Sequence, residues 1–273
     1  MRRSEFVDAA DHRGSHDHVS WAFDTVEGFR AEAARFLADG LAAGKRVVYL
    51  AEGADIADLG ARGPFAQAVA SGAAQVRDLG LYGTGPVDPA AQVRAYARAT
   101  EQAVADGYSG LRVAANVTPL VRTPVHIGAF ARYEHLIDSY AVTAPFSAMC
   151  AVDRTALGAQ AVAELACMHP LASAGATPLR LHASADPGVD LVLGGEVDLA
   201  GYDLLDTALS RADVSGQDVT VDLRGLRYID HRAVLSLQEH FSGRRLTVRV
   251  SGSGIPKLIL DLLDLPDIQV VVS

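Results

Sequence analysis

The chain of 273 residues carries two cysteines, one tryptophan and few aromatic residues. It also lacks any apolar run near the length of about 18 residues that would span a bilayer. Each shortage excludes something. Cys150 and Cys167 are too few for a disulfide framework and do not form a zinc-type Cys-x-x-Cys pair. The opening "MRRSEFVDAADHRGSHDH" has arginines but no apolar core, so no signal peptide is expected. The expectation is a soluble cytoplasmic protein with no membrane partner. Basic residues are scarce too: 24 Lys and Arg against 33 Asp and Glu leave a net charge of −9. Nucleic acid is therefore not an expected partner, because that affinity rests on Lys and Arg replacing counterions at phosphates. No Gly-x-Ser-x-Gly elbow and no His-Glu-x-x-His is present, so the chain reads as a non-enzyme with no cofactor and no metal centre.

What is present is core-forming material. Hydrophobic residues make up 49% of a chain longer than the usual single domain of about 100–200 residues, which predicts two folded domains. The first fifteen residues are polar and without periodicity and read as a mobile N-terminal arm. From His18 the pattern becomes regular. "HVSWAF" reads as a strand, and Asp24 or Thr25 is placed to cap a helix, with Glu27 completing a capping box. Phe29, Ala33, Phe36, Leu37 and Leu41 recur at helical spacing, and "RVVYLAE" follows as a buried strand. Further strands are expected at "AQVRDL", "GLRVAAN" and "FSAMCAVD", with helices between them. Strands alternating with helices of ten to fifteen residues predict a mostly parallel sheet covered on both faces over residues 16–170. "LASAGATP" is small and ends in Pro178, which makes residues 171–177 the expected linker. Residues 178–273 repeat the alternation as β-β-α-β-α-β-α-β, a smaller α/β domain.

Chemical signals are sparse. "GLAAGKR", Gly40 to Arg46, fails as a phosphate-binding P-loop. Its spacing is one residue short, Arg46 replaces the Mg²⁺-holding hydroxyl, and the order is helix then strand, so a helix C-cap at Gly44 is expected instead. His12, His16 and His18 with Asp11 and Asp17 are dense in metal-ligand types but read as a polar tail, except that His18 opens a strand. His126, His135, His169, Glu52, Arg112 and Glu134 lie near strand ends or on covering helices. Ligands in open α/β sheets sit beyond the carboxyl ends of strands, which favours Glu52 and Asn116. Cys150 lies mid-strand, where a buried thiol is ordinarily packing.

Two resemblances sharpen this reading. The C-terminal segment, through "LVLGGEVDLAGYDLLDTAL" and "VTVDLRGLRYID", resembles the STAS domain of sulfate transporters and anti-sigma-factor antagonists. In antagonists "IDSSG" follows the third strand, and the first serine is the phosphoacceptor. Here the stretch is Ile229-Asp230-His231-Arg232-Ala233, so His231 stands where that serine would be. The resemblance implies docking to an anti-sigma factor or kinase-like regulator through Asp198, Asp230, His231, Arg232 and Ala233, without the charge switch a phosphate would install.

The first domain resembles the MEDS sensory domain of methanogen and methylotroph regulators. The motifs are the opening "HVSWAFDTVEGFRAEAARFLADGLAAGKRVVYLAE", then "ADGYSGLRVAANVT", "YEHLID", "MCAVD" and the closing "CMHP". The family is related to RecA-like ATPases but generally lacks their P-loop, which implies a RecA-like sheet and a small-molecule sensor. Motif positions and strand ends together give a candidate ligand pocket of His18, Glu52, Arg112, Glu134, Cys150 and His169, with Tyr133 beside it. These residues line a pocket or hold the fold. Val152 stands where many relatives have an aromatic. The expected function is a non-enzymatic signalling regulator that senses a small ligand or partner. The alternatives are a ligand-free interaction scaffold and a degenerate RecA-like nucleotide-binding protein.

Overall fold

The computed structural model describes residues 4–9, 14, 16–52 and 63–273. Asp11 and His12 of the N-terminal histidine and aspartate cluster lie outside the described residues.

The first domain alternates as expected. Its elements are β1 (Glu5–Val7), β2 (His18–Phe23), α1 (Val26–Ala42), β3 (Arg46–Ala51), α2 (Gly63–Ala70), β4 (Ala74–Asp78), α3 (Pro89–Ala105), β5 (Leu111–Asn116), α4 (Pro124–Thr143), β6 (Phe146–Asp153), α5 (Arg154–Ala166) and β7 (Leu171–Ser173). The strands form one sheet in the order β1-β7-β2-β6-β5-β3-β4, with every pairing parallel. A parallel sheet needs crossover helices on its faces, and those helices bury it on both sides. The apolar strand runs match: β3 and β5 are buried along almost their whole length.

Local chemistry explains the helix ends. Thr25 caps α1 by accepting from the Gly28 amide, so Glu27 falls at the second helical position. There it favours the positive end of the helix dipole instead of closing the expected capping box. At the other end Gly44 has φ +72°, the Gly44 amide donates to Leu41 O, and the Lys45 amide donates to Gly40 O at 2.9 Å. This is a Schellman-type C-cap, which needs the left-handed backbone that glycine adopts freely. "GLAAGKR" is thus a helix terminus feeding β3. Asp88 and Thr123 cap α3 and α4, each followed by Pro at the first helical position.

Two boundary expectations change. Residues 1–15 do not read as an arm throughout, because Glu5–Val7 pairs in parallel with Leu171–Ser173 as the sheet's edge. Residues 171–177 are likewise not all linker. Leu171–Ser173 is β7, inserted between β1 and β2. Three-residue strands carry too little pattern to be seen in sequence, and their partners lie far along the chain.

The second domain comprises β8 (Leu179–Ala183), β9 (Leu191–Val197), α6 (Tyr202–Arg211), β10 (Asp218–Asp222), β11 (Leu226–Ile229), α7 (His231–His240), β12 (Arg245–Val250), α8 (Ile255–Leu263) and β13 (Ile268–Val272). The short β11 is one strand more than the sequence pattern suggests. Strand β9 pairs antiparallel with β8 on one side, and in parallel with β10 and then β11 on the other. β12 and β13 extend the sheet beyond β10.

The domains do not hang from a loose tether. Phe130, Ile137, Val162 and Leu165 of α4 and α5 form one continuous buried cluster with Leu179, Leu181, Leu205 and Leu209 of the second domain. Strand β8 has an outer edge, and unpaired edge amides are a liability. Here the Leu181 amide donates to Cys167 O at 2.6 Å, and the Ala183 amide donates to the Asp138 carboxylate at 3.0 Å. Arg211 pairs with Glu164 at 2.6 Å across the same junction.

Candidate functional site

The alternation of side chains along β2 and β6 decides which residues meet. On β2, Val19 and Phe23 face α1, so His18 and Ala22 face the opposite side, beneath α4. On β6, Met149 and Ala151 face α1, while Ala148, Cys150 and Val152 share the face of His18. Helix α4 lays Phe130, Tyr133, Glu134, Ile137, Asp138 and Ala141 inward. Glu134 and Asp138 are four residues apart and therefore stack on one side of the helix. His169 follows α5 just before β7.

These elements bring His18, Glu134, Cys150 and His169 into one site. Exposure is 0%, 0%, 6% and 1% in that order. The donor atoms, one nitrogen of each histidine, a Glu134 oxygen and Cys150 Sγ, all lie within 4.8 Å of one another. His18 sits between two carboxylates, with Nδ1 2.9 Å from Asp138 Oδ1 and Nε2 3.0 Å from Glu134 Oε2. Cys150 Sγ is 3.9 Å from His18 Nε2, and the two imidazole rings are 4.1 Å apart at their centres. His169 Nδ1 lies 3.0 Å from Leu165 O; a carbonyl only accepts, so that nitrogen carries a proton.

Electrostatics follow from burial and partners. Burial disfavours the His18 imidazolium, but hydrogen bonds to Asp138 and Glu134 outweigh it and raise its pKa. Burial, and then the charge on His18, lower the pKa of His169, which is held neutral. Burial would push the Glu134 carboxyl up, yet the imidazoles of His169 and His18 hold it low, at about 2. With His169 neutral, His18 carries most of that stabilisation. Burial first, and Glu134 next, push the Cys150 thiol well up, so without a cation it is protonated and inert.

Four of the six expected pocket residues therefore converge, and two do not. Arg112 sits on the α1 side of β5. Its guanidinium donates to Ser147 Oγ, Phe36 O and Gly14 O, each at 3.0 Å, and lies 4.3 Å from the centre of the Phe36 ring. It braces α1 against the sheet. Glu52 is exposed at the carboxyl end of β3, 3.9 Å from Arg122, where it lines a shallow cleft with His126. Asn116 turns its side-chain oxygen onto the Thr118 amide and hydroxyl as a turn residue. Tyr133 is buried beside the site and packs edge-on against Phe130 and Tyr82, whereas His135 is buried at the domain junction with Nε2 3.4 Å from Asp213 O. Asp138, absent from the sequence reading, is the member that matters most. Its signal was the i, i+4 spacing from Glu134 on the face that also carries Phe130 and Ile137.

In the second domain Asp230 caps α7 by accepting from the Ala233 amide at 2.9 Å. Its own amide donates to Val197 O, which sets the Asp230 turn beside the Asp198 turn. Asp198 accepts from the Ala200 and Gly201 amides. Asp198, His231 and Arg232 are exposed. Ala233 corrects the expectation: it is wholly buried, because the third helical position under the cap points into the core.

The first domain is thus a parallel α/β sheet with a buried imidazole, carboxylate and thiol centre, and it shares one core with a second α/β domain. A family profile matches residues 17–170, that of the methanogen/methylotroph DcmR sensory domain, MEDS. The chain belongs to the MEDS family. A search among curated proteins returns no match. Among the described residues no helix is long and apolar enough to cross a membrane.

Proposed function

We propose that this MEDS protein is a non-enzymatic cytoplasmic signalling regulator. Its first domain senses a small ligand at the His18 centre, and its second, STAS-like domain presents a docking surface to an anti-sigma factor or kinase-like regulator. The observation that carries the reading is the Asp138 carboxylate. One oxygen holds His18 in the sensory centre, and the other holds the Ala183 amide at the edge of the second domain's sheet. A change at His18 is thereby felt, through one side chain, at β8.

Three features support the rest. The centre is buried, so whatever it holds must be small. The sheet order with an antiparallel first strand agrees with the STAS-like motifs. The adjoining turns at Asp198 and Asp230 project Leu199, 66% exposed, together with His231 and Arg232.

The test is binding of the full-length chain to each anti-sigma factor and kinase-like regulator of the host, with a His231→Glu, Arg232→Glu double variant beside it. The reading expects one such partner, bound by the native chain and at least about tenfold more weakly by the variant, with the melting temperature unchanged. A change of tenfold corresponds to about 1.4 kcal/mol, within what a single desolvated interface residue supplies. No partner, or a partner indifferent to both substitutions, overturns it.

A further inference from the structure

We infer that His18, Glu134, Cys150 and His169 form a binding site for one divalent transition-metal ion of the zinc and ferrous iron class. The sequence reading gave the chain no metal, because the four ligands come from four separate elements and show no short-range spacing.

Two buried polar atoms at the centre, His169 Nε2 and Glu134 Oε1, are orphaned. His169 Nδ1 is committed as a donor to Leu165 O, so neutral His169 presents a lone pair at Nε2. That nitrogen lies 3.4 Å from Glu134 Oε2, close enough for an ion pair but without hydrogen-bond geometry. Both His169 Nε2 and Glu134 Oε1 are buried with no hydrogen-bond partner. A lone pair and a carboxylate facing each other in the core is costly unless a cation stands between them.

Metal bonds of about 2.0–2.3 Å to nitrogen, oxygen and sulfur place tetrahedral ligands about 3.3–3.8 Å apart. The observed separations are 3.0 Å for His18 to Glu134, 3.4 Å for His169 to Glu134 and 3.9 Å for Cys150 to His18. All four donors fall within 4.8 Å. Two imidazoles, a carboxylate and a thiolate are a borderline-soft set, which suits zinc or ferrous iron and not magnesium or calcium.

Each histidine has its Nδ1 hydrogen bonded away from the centre, His18 to Asp138 and His169 to Leu165 O, which fixes Nε2 as the ligating atom. A carboxylate behind a ligating imidazole is the usual orienting partner of metal histidines. Cys150 binds as the thiolate, so its proton leaves as the ion enters.

The inference names the ligand class for the sensory reading. Metal loading is measured without any docking partner, so the failure of one is distinguishable from the failure of the other.

The experiment is metal analysis of the full-length protein as purified, then cobalt(II) titration of the metal-stripped chain. The proposal expects one tightly held zinc or iron per chain. With cobalt it expects a tetrahedral visible spectrum and a thiolate-to-cobalt band in the near ultraviolet that zinc abolishes. Cys150→Ser should lose the thiolate band, whereas Cys167→Ser should keep it. If Cys150→Ser does not fold, X-ray absorption of the zinc-loaded native chain replaces it, and sulfur must be found among the ligands. No metal after dialysis, an oxygen-only octahedral spectrum, no sulfur among the ligands, or a thiolate band that follows Cys167 each overturns the site.

Discussion

Replacing Asp138 by Asn changes one atom and tests the link between the buried centre and the second domain. In the native chain Oδ1 takes the His18 Nδ1 proton at 2.9 Å, and Oδ2 takes the Ala183 amide proton at 3.0 Å. An amide offers one oxygen, so the two demands conflict. If the oxygen serves Ala183, the NH₂ faces His18 Nδ1, which must become an acceptor. The last imidazole proton is then fixed on Nε2, where it points at Glu134 and occupies the lone pair a metal needs. If the oxygen serves His18, two donors face each other at Ala183. That leaves a buried amide unsatisfied, at about 1–3 kcal/mol. Both arrangements also give up a charge-assisted bond, worth about 1.5–3 kcal/mol. The expected outcome is a metal affinity roughly 10–100-fold lower, the usual effect of losing a carboxylate behind a ligating histidine. The metal-free chain should also lose about 1–3 kcal/mol, a fall in Tm of roughly 2–12 °C. Zinc competition with a chromophoric chelator reads the first, and thermal melting of the stripped protein reads the second. An Asp138→Asn variant with native affinity and native Tm refutes the argument.

Other positions give independent checks. Arg211→Ala removes the partner of Glu164 at the domain junction, where both side chains are largely buried; a loss of about 1–3 kcal/mol is expected in urea unfolding, still as a single transition because the core is shared. Lys45 is buried beside Arg112 and Asp17 and donates to Ser147 Oγ; burial first, and Arg112 next, lower its pKa from the ordinary 10.5 to about 8 against the pull of Asp17. A depressed lysine pKa means the unfolded chain binds the proton more tightly. The cost is therefore full below about pH 8 and relieved as pH rises from about 8 to 10.5, by at most about 3 kcal/mol, and Lys45→Met should flatten that slope in chemical denaturation. Gly110, at φ +151°, would place a Cβ only 2.1 Å from Pro145 O, whose carbonyl accepts the Leu111 amide; Gly110→Ala should cost more than about 3 kcal/mol, and a variant within about 1 kcal/mol of native by the same assay would show that the β5 entrance can relax.

Much of this was legible because β3, β5 and β6 are buried on both faces and read as continuous apolar runs, while α1, α3 and α4 have side-chain caps and apolar faces. Strands β1 and β7 were not legible: each has three residues, β1 pairs with the distant β7, and β7 lies between β1 and the equally distant β2. The candidate site was half legible. His18, Glu134, Cys150 and His169 stood out through the family motifs, but only tertiary structure joins β2, α4, β6 and the segment after α5. Arg112 was grouped with them wrongly, although strand parity held the answer. On β5, Leu111, Val113 and Ala115 share the face of the centre, so Arg112 must point to the other. Ala233 fell to the same kind of oversight, since a residue three after an N-cap aspartate turns inward when the helix packs on a sheet.

How far the centre can influence the second domain is set by Asp138. Burying the outer edge of β8 against the first domain means that any movement of the sheet edge must break or re-aim the bonds at Leu181 and Ala183. The Leu181 bond is to backbone, at Cys167, and is indifferent to the charge at His18. The Ala183 bond is not, because its acceptor is the same carboxylate that balances the imidazole. When a metal ion binds at His18, the charge facing Asp138 changes in strength and direction while the backbone bond stays fixed. The coupling available is thus the difference in one charge-assisted bond between two states, on the order of 1–3 kcal/mol, which is 5–150-fold in a partner's affinity. The two effects separate in Asp138→Asn. It should weaken metal binding and also erase any dependence of partner binding on metal, whereas Cys150→Ser should weaken metal binding and leave that dependence intact once the site is filled. If both variants retain the dependence, coupling runs through the shared apolar core and not through the carboxylate.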